Sequence, residues 1–189
     1  MESGKELLGK LEGEKTRWST DSDKLQVDVE MLPKSTALTA AFITYVSSSP
    51  ENIRKKKIEE WKKIFKIHFF NFLNFVTTEA KTLQEVTSGL PNDQLSIENS
   101  QILELQKKIP LIIDPHTQAT AWLRAKMAKE GTVETLTQQD AKFINTLELS
   151  IRFGKTLFLQ EIDFIEPILT PIIKNDFLEQ GPRKMMQIG

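Results

Sequence analysis

One stretch limits what this chain can fold into: Leu111-Ile112-Ile113-Asp114-Pro115-His116-Thr117-Gln118-Ala119-Thr120-Ala121-Trp122. A short apolar run stops at an Asp-Pro pair, crosses a few polar residues and enters a segment with helical periodicity. Strand, loop and helix in that order are the layout of a phosphate loop in an α/β domain. A working loop reads G-x-x-x-x-G-K-[ST]. Its glycines let backbone N–H groups curl around an anion, its lysine neutralises phosphate, and its hydroxyl holds Mg²⁺. With Asp114 on the first glycine, Ala119 falls on the second, Thr120 on the lysine and Ala121 on the hydroxyl. Asp114 brings a negative charge to the place of the phosphate, and Pro115 has no N–H. The helix end still favours anions by about 0.3–1 kcal/mol per charge, which does not replace a lysine and a metal ion. The expectation is a phosphate-loop shape without ATP hydrolysis, in which Asp114, Pro115 and Gln118 brace a strand-to-helix corner.

The other nucleotide-site features fail in the same way. Gly154-Lys155-Thr156 looks like the end of a phosphate loop but precedes its predicted strand, and Leu149 stands where the leading glycine belongs. The predicted strand Thr156 to Leu159 runs into Gln160-Glu161. In a nucleotidase this strand end carries a magnesium-binding Asp and then a catalytic Glu. Gln160 has no charge to give, and Glu161 has no metal or phosphate to act on. Glu161 and Asp163 read as exposed carboxylates of a strand-to-helix turn. His68 and His116 are far apart and lack a second ligand at metal spacing. No Ser/His/Asp or Cys/His set can be assembled. No catalytic or metal-binding residue is expected, only a degenerate remnant: Asp114, Pro115, Thr117, Gln118, Ala119, Thr120, Ala121, Gln160 and Glu161.

Upstream, Leu7 to Leu32 reads as a helix. Leu11, Trp18, Leu25 and Leu32 recur every seven residues, joined by Leu8 and Val29, which makes one seam of a coiled coil weakened at Lys15 and Ser22. An ordinary surface helix and the base of a longer coiled coil with its partner strand elsewhere both fit. Pro33 and Ser35 are expected to stop it. Leu38, Ala41, Phe42, Tyr45 and Val46 then follow the spacing of a packed helix. Ser49 is expected to cap a helix with Pro50 at its first position. That helix carries Ile58, Trp61, Phe65, His68, Phe69 and Phe72 on one face, and Arg54 to Lys57, Lys62, Lys63 and Lys66 on the other. Basic residues beside aromatics can mean nucleic acid, but here the aromatics lie opposite the lysines, so a core face and a solvated face are expected.

Thr77 to Asp93 shows little pattern and ends in a loop. Ser96 is expected to cap a short helix through Glu104. After Pro110 strands alternate with helices: Leu111 to Ile113, helix Ala119 to Lys129, strand Thr132 to Leu136, helix Asp140 to Arg152 with Phe143, Ile144, Leu147 and Ile151 on one face, strand Thr156 to Leu159, a short or kinked helix around Pro167 and Pro171, and a fourth strand from Met185 to Ile188. That alternation implies a parallel sheet with helices on its faces. A chain stopping at Gly189, just after a strand-like run, is expected to be a fragment. Acidic and basic residues nearly cancel (26 against 25), so charge predicts neither a nucleic-acid binder nor a membrane-surface protein. With no cysteine, no disulfide framework is available. No run approaches the roughly 20 apolar residues that span a bilayer. The expectation is a soluble, intracellular chain.

At this point the chain resembles a dynein heavy chain. Gly13 to Trp18, GEKTRW, is similar to a motif at the base of the family's returning stalk helix. LTAAFITY (Leu38 to Tyr45), GLPNDQLSIEN (Gly89 to Asn99), PLIIDPHTQATAWL (Pro110 to Leu123) and Leu147 to Leu159 are similar to successive blocks of the motor in the same order. Gln160 to Asp163, Glu166-Pro167 and Gln180 to Ile188 resemble the cilium-specific second cytoplasmic dynein of retrograde intraflagellar transport. The resemblance implies an α/β fold: an incomplete AAA+ P-loop-type parallel sheet with flanking helices, preceded by an all-α segment beginning with a coiled-coil-like helix. It implies a stalk-foot helix over 1–32, a helical connector over 33–95 and the first part of a degenerate fifth AAA+ module over 96–189. It implies a non-hydrolysing transmission module between the AAA+ ring and the microtubule-binding stalk. ATP and Mg would be bound at other modules and no cofactor in this segment. Partners would be the other modules and the stalk of the same heavy chain, the microtubule through the whole motor, and dynein accessory chains, in the cytoplasm, cytoskeleton and cilium. The alternatives are a nucleotide-binding ATPase domain in its own right and a helical adaptor using the Arg54 to Lys66 surface.

Overall fold

The computed structural model describes the backbone of residues 2–181 and 183–188 and the side chains of residues 11–179, 181 and 185–188. Leu7 and Leu8 therefore lie outside the described side chains, and Gly189 outside the described residues. The chain divides into two compact units, 1–78 and 79–189.

The first unit is all helix. Helix α1 runs from Glu2 to Ala41 and passes straight into a π turn, Phe42–Val46. Pro33 does not stop it, contrary to the sequence expectation; it sits inside the helix. An interior proline removes one i→i−4 bond and costs about 3 kcal/mol. The residues after it outweigh that cost: Ser35, Leu38, Thr39, Phe42 and Val46 are all buried on one side, and deep burial of each large apolar side chain contributes about 1.5–3 kcal/mol. Before Pro33 nothing of α1 is buried among the described side chains; Leu11, Trp18, Leu25, Val29 and Leu32 are all exposed, Trp18 at 66%.

Helix α2 spans Glu51–Phe65, with Pro50 as its N-cap rather than its first helical residue. It ends earlier than the aromatic spacing suggests. Lys66 turns left-handed (φ 53°) and its N–H returns to the Lys62 and Lys63 carbonyls. His68 and Phe69 thus fall outside any helix, and Phe69 is exposed. Phe72 opens the short helix α3, Phe72–Val76, capped by the Asn71 side chain accepting from Asn74 N–H at 3.1 Å.

The second unit begins with helix α4, Glu79–Thr87, in a segment whose sequence shows little pattern. Helix α5, Gln94–Leu105, is capped by Asp93 and not by Ser96; the Asp93 carboxylate accepts from Ser96 N–H at 2.9 Å and its hydroxyl at 2.6 Å. Leu111 to Ile113, expected as a buried strand, forms none. Leu111 is 76% and Ile113 89% exposed. A strand exists only where its backbone groups are paired, and no strand among the described residues lies beside this one.

Helix α6, Gln118–Met127, strand β1, Val133–Thr137, helix α7, Phe143–Phe153, and strand β2, Thr156–Gln160, follow in the expected order. β1 and β2 pair in parallel, from Val133 opposite Thr156 to Thr137 opposite Gln160. Gly154 stops α7 in the left-handed conformation (φ 65°), which glycine adopts without strain. Phe143 and Leu147 are buried as expected, but Ser150 completes that face while Ile144 and Ile151 are exposed. A 3₁₀ turn, Pro167–Leu169, and helix α8, Thr170–Lys174, carry the two prolines. Phe143, Leu147 and Leu169 form a core packed by Leu136, Leu157, Leu159, Ile168, Ile172 and Ile188. Strands β3, Leu178–Gln180, and β4, Arg183–Met185, form an antiparallel hairpin, so Met185 closes a strand rather than opening one. The observed fold is mixed, mostly helical, with a two-stranded parallel sheet. No helix among the described residues is long and apolar enough to cross a membrane.

Replacing Pro33 by Ala restores the missing donor. It should stabilise α1 by up to about 3 kcal/mol, seen as higher helical circular dichroism and a higher urea midpoint. A lower midpoint would contradict the placement of Pro33 inside the helix.

Candidate functional site

The corner before α6 is closed by one side chain. Thr117 takes the left-handed conformation (φ 57°) at the N-cap but makes no cap bond with its own side chain; its hydroxyl donates to the His116 carbonyl at 2.7 Å. The capping group is Asp114. Its carboxylate accepts from Gln118 N–H at 3.1 Å, Thr120 N–H at 2.8 Å and the Thr120 hydroxyl at 2.9 Å. The chain folds back to allow this through Thr117 N–H donating to the Asp114 carbonyl at 3.2 Å. Desolvation pushes the Asp114 carboxyl upward, but the hydrogen bonds from Thr120, Ala119 and Gln118 outweigh it and hold its pKa below the ordinary value.

Those donors are the ones a phosphate would need. A carboxylate of the same chain uses them. Thr120, on the lysine position, donates to Asp114. Pro115 and Ala121 are exposed, and Ala119 is half-buried. Gln160 and Glu161 sit at the far end of β2, Gln160 opposite Thr137, and Glu161 with φ 55°. Among the described residues no hydrogen bond or ion pair joins Gln160 or Glu161 to the Asp114 corner. Lys155 pairs with Glu134 of β1, and Lys126, in the last turn of α6, pairs with Glu85 and Glu104. No group of carboxylates or histidines able to hold a metal ion occurs among the described residues. The N–H groups of Gln118 and Thr120 at this corner are thus occupied by the Asp114 carboxylate.

Behind the corner lies a charged cluster that sequence reasoning missed. Glu85 on α4 is only 8% exposed. It accepts from the Trp122 indole N–H at 3.0 Å and from Lys126 at 2.6 Å, both on α6. Lys126 lies 5.1 Å from the Trp122 ring centre and also pairs with Glu104 on α5, which Lys81 of α4 joins. The available signal was Trp122, because a buried indole N–H needs an acceptor.

A family model described as the ATP-binding dynein motor region matches residues 84–189. The chain belongs to the dynein heavy-chain family. This dynein segment is 43% identical over 183 residues to cytoplasmic dynein 2 heavy chain 1 of Mus musculus, covering 97% of the chain. It is 42% identical over 191 residues to the protein of that name in Chlamydomonas reinhardtii, covering 100%. It is 27% identical over 197 residues to the Chlamydomonas dynein-1-beta heavy chain of the flagellar inner arm I1 complex, again over 100%. The chain spans about 4% of the length of these curated relatives. The family model's description names ATP; in this dynein segment the Asp114 carboxylate accepts from the N–H groups of Gln118 and Thr120.

The charges set a pH window. For Glu104, desolvation raises the pKa, but the Lys126 and Lys81 pairs outweigh it and hold it below the ordinary value; Asp114 also lies below its ordinary value. Their contribution is present above those values and lost as pH falls through the lower folded ones. Desolvation lowers Lys126, but Glu104 and Glu85 outweigh it and raise its pKa above the ordinary value, so its contribution is lost as pH rises through that raised value. Unfolding followed across pH should show a plateau between these limits. Lys126→Met should cost about 3–5 kcal/mol, because it takes the paired cation from the buried Glu85 carboxylate. A loss under about 1 kcal/mol, as for an exposed pair, would contradict the buried reading.

Proposed function

We propose that this chain is a non-hydrolysing structural and transmission segment of a dynein motor, of the second cytoplasmic kind that drives retrograde intraflagellar transport in cilia. The observation that carries the non-hydrolysing part is the Asp114 carboxylate seated on the N–H groups of Gln118 and Thr120. A bound phosphate would have to expel it. The kind of dynein is supported by 42–43% identity to dynein 2 heavy chains against 27% to the inner-arm chain.

The transmission part rests on α1. Its exposed seam of Leu11, Trp18, Leu25 and Leu32 has the period of a coiled-coil strand. In this reading α1 is the stalk foot, its partner strand lies elsewhere in the heavy chain, and movements of the ring reach the stalk through it. ATP and magnesium act at other modules of the same heavy chain, and the microtubule is met by the whole motor.

Two measurements on the intact heavy chain test this. Hydrogen exchange over Leu11 to Leu32 should change between nucleotide states; unchanged protection would refute transmission. Thr120→Ala and Glu161→Gln should leave the number of nucleotides bound per chain unaltered. A loss of one nucleotide in either variant would favour an ATPase domain in its own right.

A further inference from the structure

The junction between α1 and the rest of its unit is a π turn, Phe42–Val46. A π turn closes i→i+5 bonds and so holds one residue more than the α turn it replaces. The backbone is in ordinary right-handed helical conformation on either side of it, at Ala41 and Ser47, and the helix ends there. On its downstream side Arg54 is 4% exposed. Its guanidinium donates to the Ser49 carbonyl at 2.9 Å and the Ser47 carbonyl at 2.5 Å, and lies 5.7 Å from the Phe42 ring centre. Phe42 in turn stacks on Phe72 with ring centres 4.2 Å apart. The carbonyls leaving the turn are thus clamped. On its upstream side the buried Thr39 hydroxyl has no hydrogen-bond partner, so the observed packing leaves one polar group unsatisfied and is not the best arrangement for every group it buries.

We infer that the π turn is a rotary joint for α1. With Ser47 held by Arg54, closing the turn to α geometry while keeping its extra residue rotates everything upstream. Each residue of an α-helix advances about 100° and each residue of the wider turn advances less, so over Phe42–Val46 the difference sums to about a quarter turn. The exposed stripe of α1 then faces a different direction while α2 and α3 stay in place. The joint deepens the transmission reading, and its test separates the two.

Spin labels at Lys24 and Gln26 lie on opposing faces of α1; each is paired with a label at Lys63 of α2 in the intact heavy chain. Two populations are expected for each pair. Their distances should shift in opposite senses, by up to about 7 Å for a side-chain tip about 5 Å from the helix axis. Deleting Thr44, which is exposed in the turn, removes the extra residue and should leave one population, in the observed orientation. Arg54→Lys keeps the charge but loses the fork on Ser47 and Ser49, and should change the ratio of the two populations. One population in the unaltered chain, or two surviving the deletion, would overturn the joint. Two populations whose ratio ignores nucleotide would support the joint and refute transmission.

Discussion

The second unit depends on where a negative charge sits at the start of α6. A helix presents unpaired N–H groups at its first turn, and they must find an acceptor. In a nucleotide-binding domain the acceptor is phosphate. Here it is the carboxylate of Asp114, held by the backbone of Gln118 and both donors of Thr120. The arrangement keeps the shape of the corner without any ligand. It also makes an added anion unfavourable there, because two negative charges would share one set of donors.

The other end of α6 is held by the opposite kind of device. Trp122 and Lys126 bring two donors to Glu85, and Glu104 and Lys81 extend the pairing to α5 and back to α4. Removing one partner of such a pair costs far more than the pair contributes against an apolar substitute, so the cluster specifies which helix packs on which more than it adds stability. Asp114 in front and Glu85 behind orient α6, and the helix leads on to the strand pair where Phe143, Leu147 and Leu169 make the core.

What could be read from the sequence follows from these interactions. The β1, α7 and β2 elements and the Gly154 stop were legible because apolar period and glycine chemistry decide them locally. So were the missing glycines and lysine of the phosphate loop. Helix α4 was not, because its inward residue is the carboxylate Glu85 rather than an apolar stripe. Arg54 was grouped with the solvated lysines by spacing, yet it is buried because carbonyls at the foot of α1 need a donor. Tyr45 was placed on the buried face by the α period; the π turn advances less per residue and leaves it 74% exposed. Leu111 to Ile113 has the composition of a strand, but composition does not supply the neighbour that a strand requires. Pro33 is tolerated because burial further along the same helix outweighs a lost hydrogen bond.

The central claim is that the α6 corner is closed by its own carboxylate and not by a nucleotide. The most direct measurement is amide hydrogen exchange at Gln118 and Thr120 in the intact heavy chain, with and without ATP and magnesium. Slow exchange in both conditions, becoming fast in both when Asp114 is replaced by Ala, is the predicted result. Protection of these two amides that arises only when ATP and magnesium are added would contradict it.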